Sequence, residues 1–127
     1  MTIAEYCVLA AVLIYLLTIA PFKAMAGREF DNQNPRDPKF YQPALRKRAW
    51  GAHLNGIETF PFFAFAVLLA EFRQAPQSTL DWLAAAFVAL RLLFVAAYLG
   101  GWGWTRTALW NLGFFANLAI FLLPVWR

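Results

Sequence analysis

Charged residues and cysteine are both scarce in this sequence. Only 14% of the residues are charged, whereas a soluble domain usually carries about 25%. Because 61% of the residues are hydrophobic and the mean hydropathy is +0.52, this composition excludes an ordinary soluble globular protein. The single cysteine, Cys7, excludes an intrachain disulfide. Cys7 also lies in an apolar stretch without a polar neighbour that would activate a catalytic thiol.

Several signatures of chemistry are also missing from the sequence. It contains one histidine, and we find no nucleotide-binding loop, no Ser–His–Asp arrangement and no cluster of metal ligands, so we expect no metal site. The net charge is +4, but the basic residues gather beside apolar stretches. We therefore expect them to contact anionic lipid headgroups and not nucleic acid.

Four long apolar stretches are present, at about residues 3–22, 49–72, 80–99 and 107–125. Each has about the 20 residues that a helix needs to cross the hydrocarbon core of a bilayer. The first lacks the basic start of a signal peptide, so we expect it to be retained as a helix. The sequence predicts an all-α integral membrane protein, with residues 1–127 forming a single bundle of four transmembrane helices.

The basic residues predict the orientation of these helices. Seven of the 11 Lys and Arg residues lie between Lys23 and Arg48, in the first loop. Cytoplasmic loops carry an excess of Lys and Arg. We therefore expect the 23–48 loop to be cytoplasmic and both termini to lie on the opposite side.

A polar stripe marks the start of the second helix, in the segment "RAWGAHLNGIETFPFF". Arg48, Asn55 and Glu58 follow a helical spacing and share one face, whereas His53 points to roughly the opposite side. Glu58 lies about 15 Å further in than Arg48, where an ionised carboxylate is costly unless it is paired. Arg91 lies at a similar depth in the third helix. We predict an ion pair between Glu58 and Arg91, within one subunit or between two.

Further polar residues lie near the ends of the third and fourth helices. Tyr98 ends the third helix, and Arg106 follows the turn "LGGWGWT". We expect Arg48, Asn55, Tyr98 and Arg106 to converge on one face of the membrane. Asn55 and Asn117 are expected to form hydrogen bonds between helices.

Two motifs, "RAWGAHLNGIETFPFF" and "RLLFVAAYLGGWGWTR", resemble those of the membrane-associated proteins in eicosanoid and glutathione metabolism (MAPEG). The chain looks most like a bacterial-type member related to microsomal glutathione transferases, and the four-helix plan and the length agree. The resemblance implies a homotrimer in the bacterial inner membrane. It also implies glutathione bound between neighbouring subunits near the cytoplasmic side, and a hydrophobic substrate that arrives through the lipid.

The resemblance also implies roles for particular residues. Tyr98 and Arg106 would be catalytic, with Arg106 favouring the glutathione thiolate and Tyr98 donating a hydrogen bond. A basic group at the end of the first helix would come from Arg28 or from Lys23. The residues implied in glutathione binding or in organising its site are Arg28, Arg48, His53, Asn55, Glu58 and Arg91.

One departure from the family pattern leaves two functions open. Gly51 stands where many glutathione-using members have a second arginine. Two alternatives follow: the vacated space admits a different polar ligand, or a neighbouring basic residue compensates for the lost arginine. The first function is a glutathione-dependent transferase or peroxidase. The alternative is a non-enzymatic scaffold that binds lipids or partners, and an isomerase with glutathione as cofactor is a lesser third possibility.

Overall fold

Four long helices make up most of the protein. The computed structural model describes residues 1–126. All four helices are long and apolar enough to cross a membrane, and their most apolar windows have mean hydropathies of 1.3 to 2.2. The predicted four-helix membrane architecture is therefore confirmed. The helices are α1 (Ile3–Ala26), α2 (Ala44–Phe72), α3 (Gln77–Leu99) and α4 (Gly103–Trp126), with short 3-10 turns at Gly27–Glu29 and Pro38–Tyr41.

The helices extend beyond the apolar stretches that predicted them. α1 continues past Phe22 to Ala26, α2 begins five residues earlier than predicted, and α4 begins four residues earlier. The extensions of α1 and α2 are rich in Ala, Leu, Lys and Arg, which favour helix without requiring hydrocarbon around them. The loop between α1 and α2 is consequently shorter than predicted and spans residues 27–43.

Side-chain hydrogen bonds connect the helices at both ends of the bundle. At one end, the Thr2 hydroxyl donates to Glu71 Oε1 over 2.6 Å, and the backbone N–H of Ala4 donates to Asp81 Oδ1 over 2.9 Å. At the other end, Arg48 Nε donates to the carbonyl of Leu99 over 2.9 Å. The 27–43 loop and the α3–α4 turn therefore lie at the same end. Which side of the membrane this end faces stays a prediction.

Small side chains allow the helices to approach closely in the core. Ala4, Cys7 and Ala11 form a buried stripe along α1, and small residues at such contacts are typical of membrane helices. Phe63 of α2 stacks on Phe87 of α3 with ring centroids 4.1 Å apart. Many Leu, Phe and Trp side chains remain exposed, as expected for surfaces that face lipid.

The loop between α1 and α2 folds back onto the start of α2. The Tyr41 hydroxyl donates to the carbonyl of Pro35 over 2.6 Å, and the Tyr41 ring stacks on Trp50 with centroids 4.4 Å apart. Burial raises the pKa of Tyr41 above its usual value. Arg46 pairs with Glu29 over 2.6 Å. These contacts hold the polar start of α2 against the end of α1.

Candidate functional site

A cavity of about 210 Å³ opens at the loop end of the bundle. We call it the arginine cavity, because two guanidinium groups line it and none of its lining residues is acidic. Its walls come from the start of α2, the end of α3, the α3–α4 turn and the start of α4. The lining residues are Arg48, Ala97, Tyr98, Gly101, Trp102, Gly103 and Arg106.

Arg48 belongs both to the cavity wall and to the end of α3. Its Nε donates to the carbonyl of Leu99, the last residue of α3. A cation is favourable there because the carbonyls at a helix C-terminus carry partial negative charge. Gly101 follows with a φ of +77°, a conformation that suits glycine, and approaches the Arg48 guanidinium. The tight turn therefore orients the first of the two arginines.

Arg106 supplies the second guanidinium from the first turn of α4. Its Cζ lies 4.6 Å from the centroid of the Tyr98 ring, which is the geometry of a cation–π contact. Within residues 1–126, neither Arg48 nor Arg106 forms an ion pair with a carboxylate. Both positive charges are therefore available to an anion in the cavity.

Tyr98 packs against the backbone of α2 at Gly51. A Cβ added at Gly51 would collide with the Tyr98 hydroxyl oxygen and would lie 2.8 Å from its Cζ. The expectation that Gly51 leaves space for another polar ligand is therefore wrong in this chain, because Tyr98 occupies that space. Gly51 and Tyr98 form a matched pair that holds the tyrosine ring between α2 and Arg106.

Arg91 bonds to Asn55 and not to Glu58. Its Nη1 donates to Asn55 Oδ1 over 2.8 Å, and its Cζ lies 4.2 Å from the centroid of the Phe94 ring. The interhelical hydrogen bond predicted for Asn55 is confirmed. The ion pair predicted between Glu58 and Arg91 is absent from the described chain, because Asn55, one turn earlier on the same face, contacts the guanidinium while Glu58 is exposed. A pair between subunits stays a prediction.

His53 joins α2 to α1 on the other side of α2. Its Nδ1 lies 2.6 Å from the carbonyl oxygen of Tyr15, and since a carbonyl can only accept, Nδ1 carries the proton. The imidazole stacks on Trp50 with centroids 5.3 Å apart and is only 9% exposed. His53 does not line the arginine cavity, so its contacts are those of a structural histidine.

The two basic candidates at the end of α1 lie outside the arginine cavity of their own chain. Arg28 is exposed in the turn that follows α1. The Lys23 ammonium lies 5.4 Å from the centroid of Phe30 and 5.8 Å from that of Trp50. Of the predicted site residues, the structure brings Arg48, Tyr98 and Arg106 together. The predicted site residues that do not line the arginine cavity are Arg28, His53, Asn55, Glu58 and Arg91.

A second cavity, of about 200 Å³, lies deeper in the bundle between α2, α3 and α4. We call it the aromatic cavity. Asn117 is 3% exposed, and its Oδ1 has no hydrogen-bond partner among residues 1–126, so the interhelical bond predicted for it is absent there. The lining residues are Glu58, Thr59, Phe62, Phe87, Arg91, Leu109, Trp110, Gly113, Phe114 and Asn117.

One spacing in the sequence indicates the aromatic cavity, although none of the predictions used it. Arg106, Trp110, Gly113 and Asn117 are spaced as residues i, i+4, i+7 and i+11, so they share one face of α4. This stripe runs from the arginine cavity to the aromatic cavity. As for metals, the described residues contain no group of three His, Cys, Asp or Glu side chains that could hold an ion.

Comparisons with known proteins agree with this architecture. No curated protein and no solved structure matches the chain. A family model does match, and it covers residues 3–126, which include all four helices and both cavities. The chain therefore belongs to the MAPEG family.

Proposed function

We propose that this protein is a glutathione-dependent transferase or peroxidase that acts on lipophilic electrophiles in the membrane. MAPEG proteins act in membrane processes related to glutathione and eicosanoids, which supports the use of this co-substrate. The observation that carries the proposal is the arginine cavity. Arg48 and Arg106 line it together with Tyr98, and none of its lining residues is acidic.

The chemistry needs a thiolate near Arg106. Glutathione's thiol is mostly protonated at neutral pH, whereas its thiolate is the nucleophile. The guanidinium of Arg106 remains charged and favours the anionic sulfur. The Tyr98 hydroxyl donates a hydrogen bond to the same sulfur. The thiol proton leaves to water, the sulfur forms a bond to the electrophilic carbon, and the leaving group departs with its bonding electrons.

The rest of the tripeptide extends beyond the arginine cavity. Arg48 binds one end of it through the N–H groups that Leu99 does not use. Asn55, Glu58 and Arg91 organise the deeper part of α2 and α3. In this proposal the subunits assemble as a homotrimer and Arg28 contacts glutathione across a subunit boundary, since it does not line the cavity of its own chain.

The surroundings of the site follow from the same proposal. The loop end of the bundle faces the cytoplasm of a bacterial cell, where glutathione is available, and both termini lie across the inner membrane. The electrophile is a hydrophobic small molecule that enters sideways from the lipid.

One observation favours a second function, a non-enzymatic scaffold that binds lipids or partners. Tyr98 fills the space at Gly51, where related chains would carry another arginine. The cavity therefore offers fewer cations to the carboxylates of glutathione than those relatives do. A scaffold would retain the four-helix fold and the hydrophobic surface without activating a thiol.

Glutathione binding and thiol ionisation distinguish the two functions. Calorimetry of the purified protein should show binding, and mixing should produce the ultraviolet band of a thiolate at neutral pH. Arg106→Leu should abolish the band and most conjugation of an aryl halide while retaining much of the binding, because Arg106 favours only the charged sulfur. A tenfold loss of thiolate corresponds to about 1.4 kcal/mol.

Arg36→Leu is the matched control, since Arg36 is an exposed loop residue and the change removes the same charge. If the unaltered protein neither binds millimolar glutathione nor perturbs its thiol, the enzyme proposal is wrong and the scaffold remains.

A further inference from the structure

We propose that the arginine cavity also binds the headgroup of an anionic phospholipid that ends in a phosphate group, as phosphatidic acid does. Binding of this lipid requires no thiol chemistry, so the inference goes beyond the proposed function. One consequence rests on that function: a phosphate held by Arg48 and Arg106 would exclude glutathione, and the lipid would therefore regulate the same site.

The two arginines of the cavity have many free hydrogen-bond donors. Within residues 1–126 the Arg106 side chain forms no hydrogen bond, and Arg48 uses only its Nε, toward the carbonyl of Leu99. Each guanidinium has five N–H donors, so most of them remain available. Arginine pairs with phosphate through two parallel hydrogen bonds. Two guanidinium groups that line one cavity therefore match the three terminal oxygens of a phosphate group.

The start of α4 adds backbone donors to the same cavity. α4 begins at Gly103, which lines the cavity. The first N–H groups of a helix have no partner inside it, and those of Gly103, Trp104 and Thr105 form no hydrogen bond within residues 1–126. A Cβ added at Gly103 would meet no atom within 4 Å, so a ligand has room there. The positive end of the helix dipole favours an anion at this place.

The charge of the cavity selects among lipid headgroups. None of the lining residues is acidic, so the cavity has no partner for the cationic group of a choline or ethanolamine headgroup. The two guanidinium groups would repel that cation. A terminal phosphate brings only negative charge, and it is compact enough for a volume of about 210 Å³. The cavity therefore favours a phosphate without a cationic extension.

The position of the cavity favours a lipid over a free phosphate ion. Trp102 lines the cavity and is 65% exposed, and the neighbouring Trp104 is 90% exposed. Tryptophan is enriched at the depth of the lipid headgroups. The cavity also lies where α3 ends and α4 begins, and both helices are apolar enough to cross the membrane. A headgroup can therefore reach the cavity while its acyl chains stay in hydrocarbon, which raises the local concentration of phosphate.

Gly103 offers a pair of variants that separates anion binding from folding. In Gly103→Asp a carboxylate joins the cavity that the two guanidinium groups line, and it should repel a phosphate. An acidic residue in the first turn of a helix is stabilising, so this variant should fold. Gly103→Asn is the comparison of equal size, because it adds nearly the same bulk without the charge.

The probe is dihexanoyl phosphatidic acid, a short-chain lipid. It is titrated by calorimetry onto the protein in nanodiscs of phosphatidylcholine, without glutathione, and empty nanodiscs correct for partition into lipid. We expect saturable binding that is about tenfold or more weaker in Gly103→Asp than in Gly103→Asn. Arg106→Leu should weaken it to a similar degree, whereas Arg36→Leu, at an exposed loop residue, should leave it unchanged. Inorganic phosphate and dihexanoyl phosphatidylcholine should each bind about tenfold or more weakly than the probe.

Equal binding by Gly103→Asp and Gly103→Asn would overturn the proposal, because the lipid would then lie elsewhere. Absence of binding by the unaltered protein beyond empty nanodiscs would overturn it too, as would equal binding of inorganic phosphate or of phosphatidylcholine. Thermal melts check that the variants fold, and if Gly103→Asp does not, the comparison of Arg106→Leu with Arg36→Leu decides.

A second titration tests the consequence for the proposed function. Saturating probe should raise the dissociation constant of glutathione about tenfold or more. If glutathione binds equally well with and without the lipid, the regulation is wrong while the proposed thiol chemistry stands. Because the first titration contains no glutathione, its outcome does not bear on that chemistry.

Discussion

A methyl group at Gly51 tests the contact that positions Tyr98. In Gly51→Ala the new Cβ would overlap the tyrosine hydroxyl and lie 2.8 Å from its Cζ, so the ring must move. Overpacking of this kind costs about 1–3 kcal/mol. Replacing glycine by alanine inside a helix gains about 1 kcal/mol. We therefore expect a net destabilisation of about 0–2 kcal/mol.

Gly113→Ala is the matched control for the stability that is gained when alanine replaces glycine inside a helix. Gly113 also lies inside a helix, but its added Cβ would make only the 3.9 Å contact with Phe87. It should therefore stabilise by about 1 kcal/mol, which leaves the two variants about 1–3 kcal/mol apart. The midpoint of unfolding in detergent measures this difference. In a Tyr98→Ala background the overlap is gone, and Gly51→Ala should stabilise as Gly113→Ala does.

The reasoning fails if Gly51→Ala stabilises the protein as much as Gly113→Ala while Tyr98 is present. That result would mean that Tyr98 does not pack against α2. The same contact predicts the effect of an arginine in place of Gly51. Gly51→Arg should weaken glutathione binding in calorimetry, because the new side chain displaces Tyr98 from the arginine cavity.

Four further predictions concern the other polar residues. Asn55→Ala should lower the free energy of unfolding by about 1.5–3 kcal/mol, because it removes a hydrogen bond to a buried charge. Glu58→Gln should change it by less than about 0.5 kcal/mol, and an equal loss in both variants would indicate that Glu58 pairs across a subunit boundary. His53→Phe should cost about 1 kcal/mol and leave the glutathione dissociation constant unchanged; a large change in that constant would give His53 a place in the site. Gln33→Cys in a Cys7→Ser background should resist an impermeant thiol reagent applied to intact cells, and labelling would reverse the orientation.

The helices could be predicted from the sequence because bilayer thickness sets the length of an apolar stretch. The ends of the helices could not be predicted in this way, since the polar residues within Ala44–Arg48 continue α2 beyond the hydrocarbon. The sequence also predicted that the 27–43 loop and the α3–α4 turn lie at the same end of the bundle, because consecutive membrane-spanning helices alternate in direction. The hydrogen bond between Arg48 and the carbonyl of Leu99 agrees with this prediction.

The candidate site was only partly predictable. The spacing of Tyr98 and Arg106 across one short turn was enough to expect them together. The hydrogen-bond partner of Arg91 could not be predicted, because Asn55 and Glu58 lie on the same face of α2. Only the rotation of the packed helices decides which of the two the guanidinium reaches. The role of Gly51 was also hidden, because the side chain that fills its space comes from another helix.

The capping of α1 has a consequence for the order of events during synthesis. The bonds from Thr2 to Glu71 and from Ala4 to Asp81 join residues 69 and 77 positions apart. The first cannot form until the end of α2 has left the ribosome, and the second cannot form until the start of α3 has left it. Until then the first turn of α1 relies on its local capping box, in which Thr2 and Glu5 bond to each other's backbone N–H groups. α1 can therefore enter the bilayer early as a helix capped at its own N-terminus, and it becomes joined to α2 and α3 only after they arrive.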